Sequence, residues 1–228
     1  MASRTKPNGL SESLRAVLKI NEIFYSIQGE SSYVGYPTVF VRTTGCNLRC
    51  GYCDTTYAYY TGAPMSQEQV VAEIEKHKTK FVCITGGEPL LQKNVLPLMK
   101  ELCDRGYKVS LETSGSLDCA DVDPRVKKII DVKTPGSGEG DSFAQENLAF
   151  ADFNTEFKFV ICNEEDFAWS EAFAKQHRLF DRTNVLYSPA FRRVDENWLA
   201  KKILHENSSA RLQLQLHKYI WSPHSRGV

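Results

Sequence analysis

Three thiols fall within eight residues of this chain, in "TTGCNLRCGYCDTTY": Cys46, Cys50 and Cys53. Thiolates so close together are soft ligands for iron or zinc. A structural zinc site wants four nitrogen or sulfur ligands in a closed tetrahedron. No second Cys pair, and no His pair with finger spacing, accompanies these three. Cys83, Cys103, Cys119 and Cys162 are scattered singly, as small buried hydrophobes are. Three thiolates without a fourth suit an iron–sulfur cluster whose remaining iron is open to a substrate or cosubstrate. A zinc site, or a metal-binding module without activity, is the alternative.

Other polar groups stand where chemistry could use them. "TGGEP" (85–89) sets two glycines at the end of an apolar strand, where a ligand can approach the backbone. The same string also serves as an ordinary strand-to-turn connection. Gln28, Gly29 and Glu30 read as a polar turn or as hydrogen-bonding groups of a site. Arg42, inside "TVFVRTTG", needs an anion if it is partly buried: an internal carboxylate, or one carried by a substrate. Asp54 and Thr55 can form a local turn. "DVKTPGSGEGD" (131–141) passes for a mobile loop, His217 for a satisfied strand histidine, and Tyr219 and Trp221 for packing.

Elements must hold these groups. Strand-like segments at 38–45, 80–87, 107–115, 128–136, 155–161, 184–189 and 210–219 alternate with helix-like segments at 65–77, 94–106, 164–180 and 195–207. The first helix has a readable start, with Ser66 as cap and Gln69 three residues on, and Gly106 is placed to end the second. The alternation predicts an α/β fold with mostly parallel strands. The count falls short of eight units, so the expected form is a partial (β/α) barrel. In such folds the C-terminal strand ends carry the chemistry. Here they read "RTTGC", "TGGEP", "ETSG", "DVKTPGSG", "YSP" and "LHKY".

The 228 residues suffice for one core and one domain, read as 18–228 behind a flexible leader of residues 1–17. Lys+Arg and Asp+Glu both number 28, and this balance argues against a general nucleic-acid binder. No apolar run approaches the roughly 20 residues of a membrane span, and the first residues lack the apolar core of a secretory signal. Seven cysteines, an odd number, fit a reduced, cytoplasmic setting better than a disulfide framework.

The Cys-x3-Cys-x2-Cys spacing, Tyr52 ahead of the last Cys, and "TGGEP" at a strand end together resemble the radical S-adenosylmethionine family. Within it, "QGE", the Gly-x-Pro at 35–37, Arg42, "CDT" and the terminal "QLHKYIWSPHSRGV" resemble the branch that makes 7-deazapurines for queuosine-modified tRNA, across about residues 18 to 228. The resemblance implies a carbon–nitrogen lyase that contracts 6-carboxy-5,6,7,8-tetrahydropterin to 7-carboxy-7-deazaguanine and ammonia. It implies a 4Fe–4S cluster on Cys46, Cys50 and Cys53, and S-adenosylmethionine held by Tyr52, Cys53, Asp54, Gly87, Asp131, Val132 and Lys133. It places the pterin against Ile27, Gln28, Gly29, Glu30, Arg42, Thr85 and His217, with Mg²⁺ on Thr55 bridging to the substrate carboxylate. It further implies a homodimer, an electron donor such as flavodoxin or ferredoxin, and no direct contact with nucleic acid or membrane. An activating enzyme for glycyl-radical proteins shares the cysteines and "GGEP", but does not call for "QGE" or "LHKY".

Overall fold

The computed structural model describes residues 17–222 and 225–228. Residues 1–16 of the expected leader lie outside them. Val17, its last residue, opens the first strand.

Nine strands form one sheet: β1 (Val17–Ile27), β2 (Pro37–Thr43), β3 (Ala63–Ser66), β4 (Phe81–Gly86), β5 (Lys108–Thr113), β6 (Lys127–Val132), β7 (Thr155–Ile161), β8 (Asn184–Pro189) and β9 (Arg211–Leu212). Their order is β3-β1-β2-β4-β5-β6-β7-β8-β9, with β3 and β9 as open ends. From β2 across to β9 the pairings are parallel, while β1 runs antiparallel to both β2 and β3. The helices are α1 (Gln67–Glu75), α2 (Val95–Asp104), α3 (Glu164–Gln176), α4 (Glu196–His205) and a short α5 (His217–Ile220). This is the expected partial barrel of mostly parallel strands. Among the described residues no helix is long and apolar enough to cross a membrane.

Strand alternation explains how the barrel packs. Successive side chains of a strand point to opposite faces. Val39 and Val41, Val82 and Ile84, Val109 and Leu111, Ile130 and Val132, and Phe157 and Phe159 join the helices' Val70, Ile74, Leu98, Leu102, Phe167 and Leu199 in the core. Burying each such side chain contributes on the order of 1.5–3 kcal/mol. The residues between them face the concave side, and there the strands carry Arg42, Thr85, Glu112, Asp131 and Lys158. The sheet is therefore apolar outside and charged within.

Two of the boundaries that differ from the sequence expectation have a direct cause in the structure. The third long helix stops at Gln176 rather than running to 180, because Arg178 adopts the left-handed region (φ 53°) and the chain turns into a single 3-10 turn, Leu179–Asp181. The expected strand 210–219 holds only at β9. Beyond it, Leu216 N donates to Gly29 O at 3.0 Å and Gln215 Nε2 donates to Glu30 at 2.9 Å. These bonds draw the chain off the sheet and across its open side, and "HKYI" then turns as α5, so His217 is a helix residue.

Candidate active site

The cluster loop begins where β2 ends. Gly45 has φ +102°, and its N–H donates to Ala58 O at 2.9 Å. The "GGEP" turn packs directly on it: Glu88 N donates to Gly45 O at 2.7 Å, and Gly87 N donates to Thr43 O at 3.3 Å. A Cβ on Gly87 would stand 2.2 Å from Gly45 O and 2.7 Å from the Cβ of Cys46. What these glycines admit is thus the chain itself, namely the two strand ends that carry the motifs. Glu88 is fully buried and saturated, accepting from the Thr113 hydroxyl, from the backbone N–H and hydroxyl of Ser114 and from Leu90 N–H. It ties the turn to the end of β5.

Past Cys46 the loop is held from outside by backbone bonds. Gly51 N donates to Ser137 O at 2.9 Å, and Arg49 N donates to Glu139 Oε1 at 2.5 Å. Leu48 is buried beneath it. Cys46, Cys50 and Cys53 are half-buried free thiols that line one cavity of about 620 Å³. Burial raises the Cys46 thiol, and raises the Cys50 thiol to about 11 against the partial relief that Lys133 gives. Both keep their protons until a metal displaces them.

The concave face supplies the rest of the cavity. Glu112 accepts from the Thr85 hydroxyl at 3.0 Å and from Gln28 Nε2 at 3.4 Å. Lys158 reaches Glu30 at 2.8 Å and Asp131 at 3.2 Å, and Lys133 reaches Asp131 at 3.1 Å. Burial opposes ionisation of Glu30, but the Lys158 ammonium outweighs it, with help from His217 and Gln215, and the carboxyl falls to about 2. Arg42 donates through Nε to Glu22 at 2.7 Å, and Tyr57 donates to the same carboxylate oxygen. Among the described residues the two terminal nitrogens of Arg42 make no hydrogen bond, so the internal carboxylate takes only part of its fork. At the mouth, Lys218 of α5 pairs with Asp54 at 2.6 Å. Burial works against that carboxylate too, and Lys218 outweighs it, so Asp54 falls to about 2. The Thr55 hydroxyl donates to Asp54 at 2.9 Å, which leaves its oxygen able to accept or ligate.

Of the residues expected in the site, all but two line this cavity. Val132 does not: strand alternation turns it outward into the core, where it is fully buried. Gly29 does not either, because His217 lies over it; a Cβ there would meet His217 Nδ1 at 2.2 Å. Among the cavity's charged lining residues, Glu112, Lys158, Arg192, Lys218 and Arg226 were not anticipated, nor was Glu22, which pairs with Arg42. Lys158 had a signal: a charged residue in mid-strand between apolar neighbours, "FKF" at 157–159.

The donor set fits the implied cofactors. Among the described residues no three His, Cys, Asp or Glu side chains converge on one metal ion. Thiolates that each hold a different iron of a cluster have no need to converge. Two buried polar atoms on this wall, the Tyr52 hydroxyl and Asp131 Oδ1, have no hydrogen-bond partner among the described residues. Buried polar atoms are normally bonded, and both belong to the set that the resemblance gives to S-adenosylmethionine. A polar ligand seated there would satisfy them.

Residues 40–135 match the family model of the radical SAM superfamily, and the three thiols with their "GGEP" turn are what such an enzyme carries. A protein of Koribacter versatilis named 7-carboxy-7-deazaguanine synthase is 45% identical over 226 residues, covering 92% of this chain and all of the relative. A protein of the same name from Chlorobaculum tepidum is 42% identical, covering 95% of this chain and all of its own. The crystal structure of QueE from Escherichia coli superposes with a TM-score of 0.75 over 92% of this chain and all of that one, at 23% identity, and so supports the fold. The chain belongs to the 7-carboxy-7-deazaguanine synthase family.

Proposed function

We propose that this chain contracts the ring of 6-carboxy-5,6,7,8-tetrahydropterin to give 7-carboxy-7-deazaguanine and ammonia, a step towards the 7-deazapurines of queuosine. The observation that carries the reading is one cavity that joins a three-thiol loop to a ring of fixed charges, in a chain 45% identical to a relative of that name. When bound, the 4Fe–4S cluster and S-adenosylmethionine supply the radical that takes a hydrogen from the substrate. The protein's own work is to bind, aim and exclude water. Cys46, Cys50 and Cys53 hold the cluster, and Tyr52, Asp54, Gly87, Asp131 and Lys133 surround the cosubstrate. The free terminal nitrogens of Arg42 suit the substrate carboxylate. Gln28 and Glu112 offer an amide and a carboxylate to the donor-rich edge of a pterin. Thr55 offers one hard oxygen to Mg²⁺, whose remaining positions substrate and water fill.

The pairs Lys158–Glu30 and Lys133–Asp131 keep these groups fixed before substrate arrives, the preorganisation on which positional catalysis depends. A cytoplasmic homodimer served by a flavodoxin or ferredoxin belongs to the same reading. The test is anaerobic reconstitution with iron and sulfide, followed by mass spectrometry of the pterin reaction. Formation of 7-carboxy-7-deazaguanine with ammonia supports the reading. Cleavage of S-adenosylmethionine that leaves the pterin untouched in the presence of Mg²⁺ refutes it.

A further inference from the structure

One fully buried carboxylate on the concave side lies outside the cavity. Glu156 stands on β7, two residues before Lys158. Phe157 and Phe159 enter the core, so Glu156 and Lys158 share the other face, roughly 7 Å apart along the strand. Lys158 lines the cavity and Glu156 does not; it lies one step deeper, at the start of the strand. A carboxylate taken out of water needs a cation, and hydrogen bonds to its remaining lone pairs. Lys127 of β6, itself buried, supplies the cation at 3.4 Å. The hydrogen bonds come from 124 positions earlier in the chain: Ser32 donates through its backbone N–H at 3.1 Å and through its hydroxyl.

Ser32 belongs to the loop 28–36, which joins β1 to β2 and carries Gln28, Gly29 and Glu30. The loop is closed on itself, with Gln28 N donating to Tyr36 O at 2.9 Å and Gly35 N donating to Gln28 O at 2.8 Å. Ser31, fully buried, takes φ 66°, a left-handed conformation that strains a residue with a side chain. Its hydroxyl accepts from Tyr33 N at 3.1 Å. That bend divides the loop: Gln28 and Glu30 line the cavity, while Ser31 and Ser32 do not.

β7 therefore grips the loop twice, Lys158 through Glu30 at 2.8 Å and Glu156 through Ser32. The two grips differ in kind. Glu30 and Lys158, like Gln28 and its partner Glu112, line the cavity, where a ligand can take their bonds. Gln215 and Leu216 also hold the loop, but they belong to the segment that crosses the open side. Tyr33 and Tyr36 pack on Phe81, an apolar contact without direction. The Glu156–Ser32 contact is directional and beyond a ligand's reach.

We infer that Glu156 is a positioning residue for pterin recognition. It anchors Ser32, so that the bend at Ser31 holds Gln28 and Glu30 at the cavity before substrate arrives. The inference rests on the functional reading above and adds to it a residue that no motif marks. Without the anchor, only a fraction of the molecules present the loop correctly, and apparent affinity falls by that fraction. Substrate must then order the loop itself, so the loss appears in Kd and KM while kcat at saturation is kept.

The experiment separates positioning from folding. Ser32→Ala removes one bond and leaves the Glu156–Lys127 pair intact, Ser32→Thr keeps the hydroxyl, and Glu156→Gln removes the charge. Each protein is reconstituted, loaded with S-adenosylmethionine and titrated by calorimetry with 6-carboxy-5,6,7,8-tetrahydropterin while the cluster is oxidised, so that no turnover occurs. Ser32→Ala is expected to weaken pterin binding about 5- to 10-fold and Glu156→Gln about 10- to 30-fold, as for bonds to a charged group. Ser32→Thr binds as wild type does. KM rises with Kd, and kcat stays within about 2-fold. Iron content, S-adenosylmethionine affinity and dithionite-driven cleavage without pterin keep their wild-type values. Amide hydrogen exchange over 28–36 becomes faster in Ser32→Ala and slows again when pterin is added.

Wild-type pterin affinity in both Ser32→Ala and Glu156→Gln overturns the inference. So does equal loss in Ser32→Ala and Ser32→Thr, or a fall in kcat and iron content at unchanged KM, which would make Glu156 a support of the fold alone. If Glu156→Gln does not fold, the two variants at Ser32, an exposed residue, decide. A wild-type protein that binds no pterin refutes the functional reading instead. Loop exchange then still tests the anchor, and a Ser32→Ala rate equal to wild type overturns it.

Discussion

Lys158 sits between two carboxylates on the concave face, and removing either partner of its closest pair has a calculable consequence. The Lys158 and Glu30 side chains are each 12% exposed, so solvent screens them little. Glu30 moves from 4.5 to about 2, and at 1.36 kcal/mol per pKa unit this is about 3 kcal/mol of linked stability. A depressed carboxylate stabilises the fold above its unfolded value and loses that stability as pH falls through the folded one. The window is therefore about 4.5 down to about 2. Glu30→Gln should cost about 3 kcal/mol at neutral pH, and the gap to wild type should narrow below about 4.5 and close only as the pH falls to about 2. Lys158→Met should cost more, roughly 3–5 kcal/mol, because it leaves Glu30 buried without its ammonium and Asp131 with Lys133 alone. In that variant burial acts on Glu30 against His217 and Gln215 only, and the carboxyl rises. The double variant should recover part of the loss, since the glutamine no longer demands a cation. The assay is guanidinium denaturation followed by far-UV circular dichroism on reduced, metal-free protein at several pH values. A Glu30→Gln cost that stays constant across that window would refute the argument, for the pair would then act through packing and not through charge.

Gly87→Ala should force the turn away from Gly45 and Cys46, costing about 1–3 kcal/mol and lowering iron and sulfide content after reconstitution; full iron with an unchanged melting temperature would show that the close approach is not required. Arg42→Ala should weaken pterin binding by about 10-fold or more, the worth of a charge-assisted pair, while iron content and uncoupled cleavage of S-adenosylmethionine persist. Loss of the cluster in that variant would make Arg42 structural, through its bond to Glu22. Thr55→Ala should lose its response to added Mg²⁺ and keep its cluster, whereas Thr55→Asp should bind the metal more tightly without substrate. Wild-type turnover that survives exhaustive chelation would remove Mg²⁺ from the reaction.

The parts of this protein legible from its residues are those whose physics is local. Three thiols at fixed spacing declare a ligand set whatever surrounds them. The Ser66–Gln69 capping box is a contact within four residues, and it forms as read. The alternation of strands and helices likewise survives into the sheet order. What escaped depends on contacts distant in sequence. β3 is four residues long and exists through its pairing with β1 more than 40 positions earlier in the chain. The tail "RLQLQLHKY" alternates like a strand, yet β8 pairs only with its first two residues. Gly29 and Glu30, some 185 positions away, claim the rest.

The same division runs through the site. Glu88 belongs to a motif and invites a role as ligand, but every one of its bonds is to a neighbouring turn or strand. Lys158 belongs to no motif. Read alone, "FKF" is one lysine between two phenylalanines. Read at period two, both rings enter the core on one face, and the ammonium must then project from the other. On the strand beside it the same count turns Val132 to the core and Asp131 to the cavity, so Lys158 and Asp131, aligned in the register of β6 and β7, meet as a pair. Parallel strands whose register aligns such residues build a charged lumen without any recognisable string. In this fold the motifs mark the rim of the site, and the floor has to be found by counting faces.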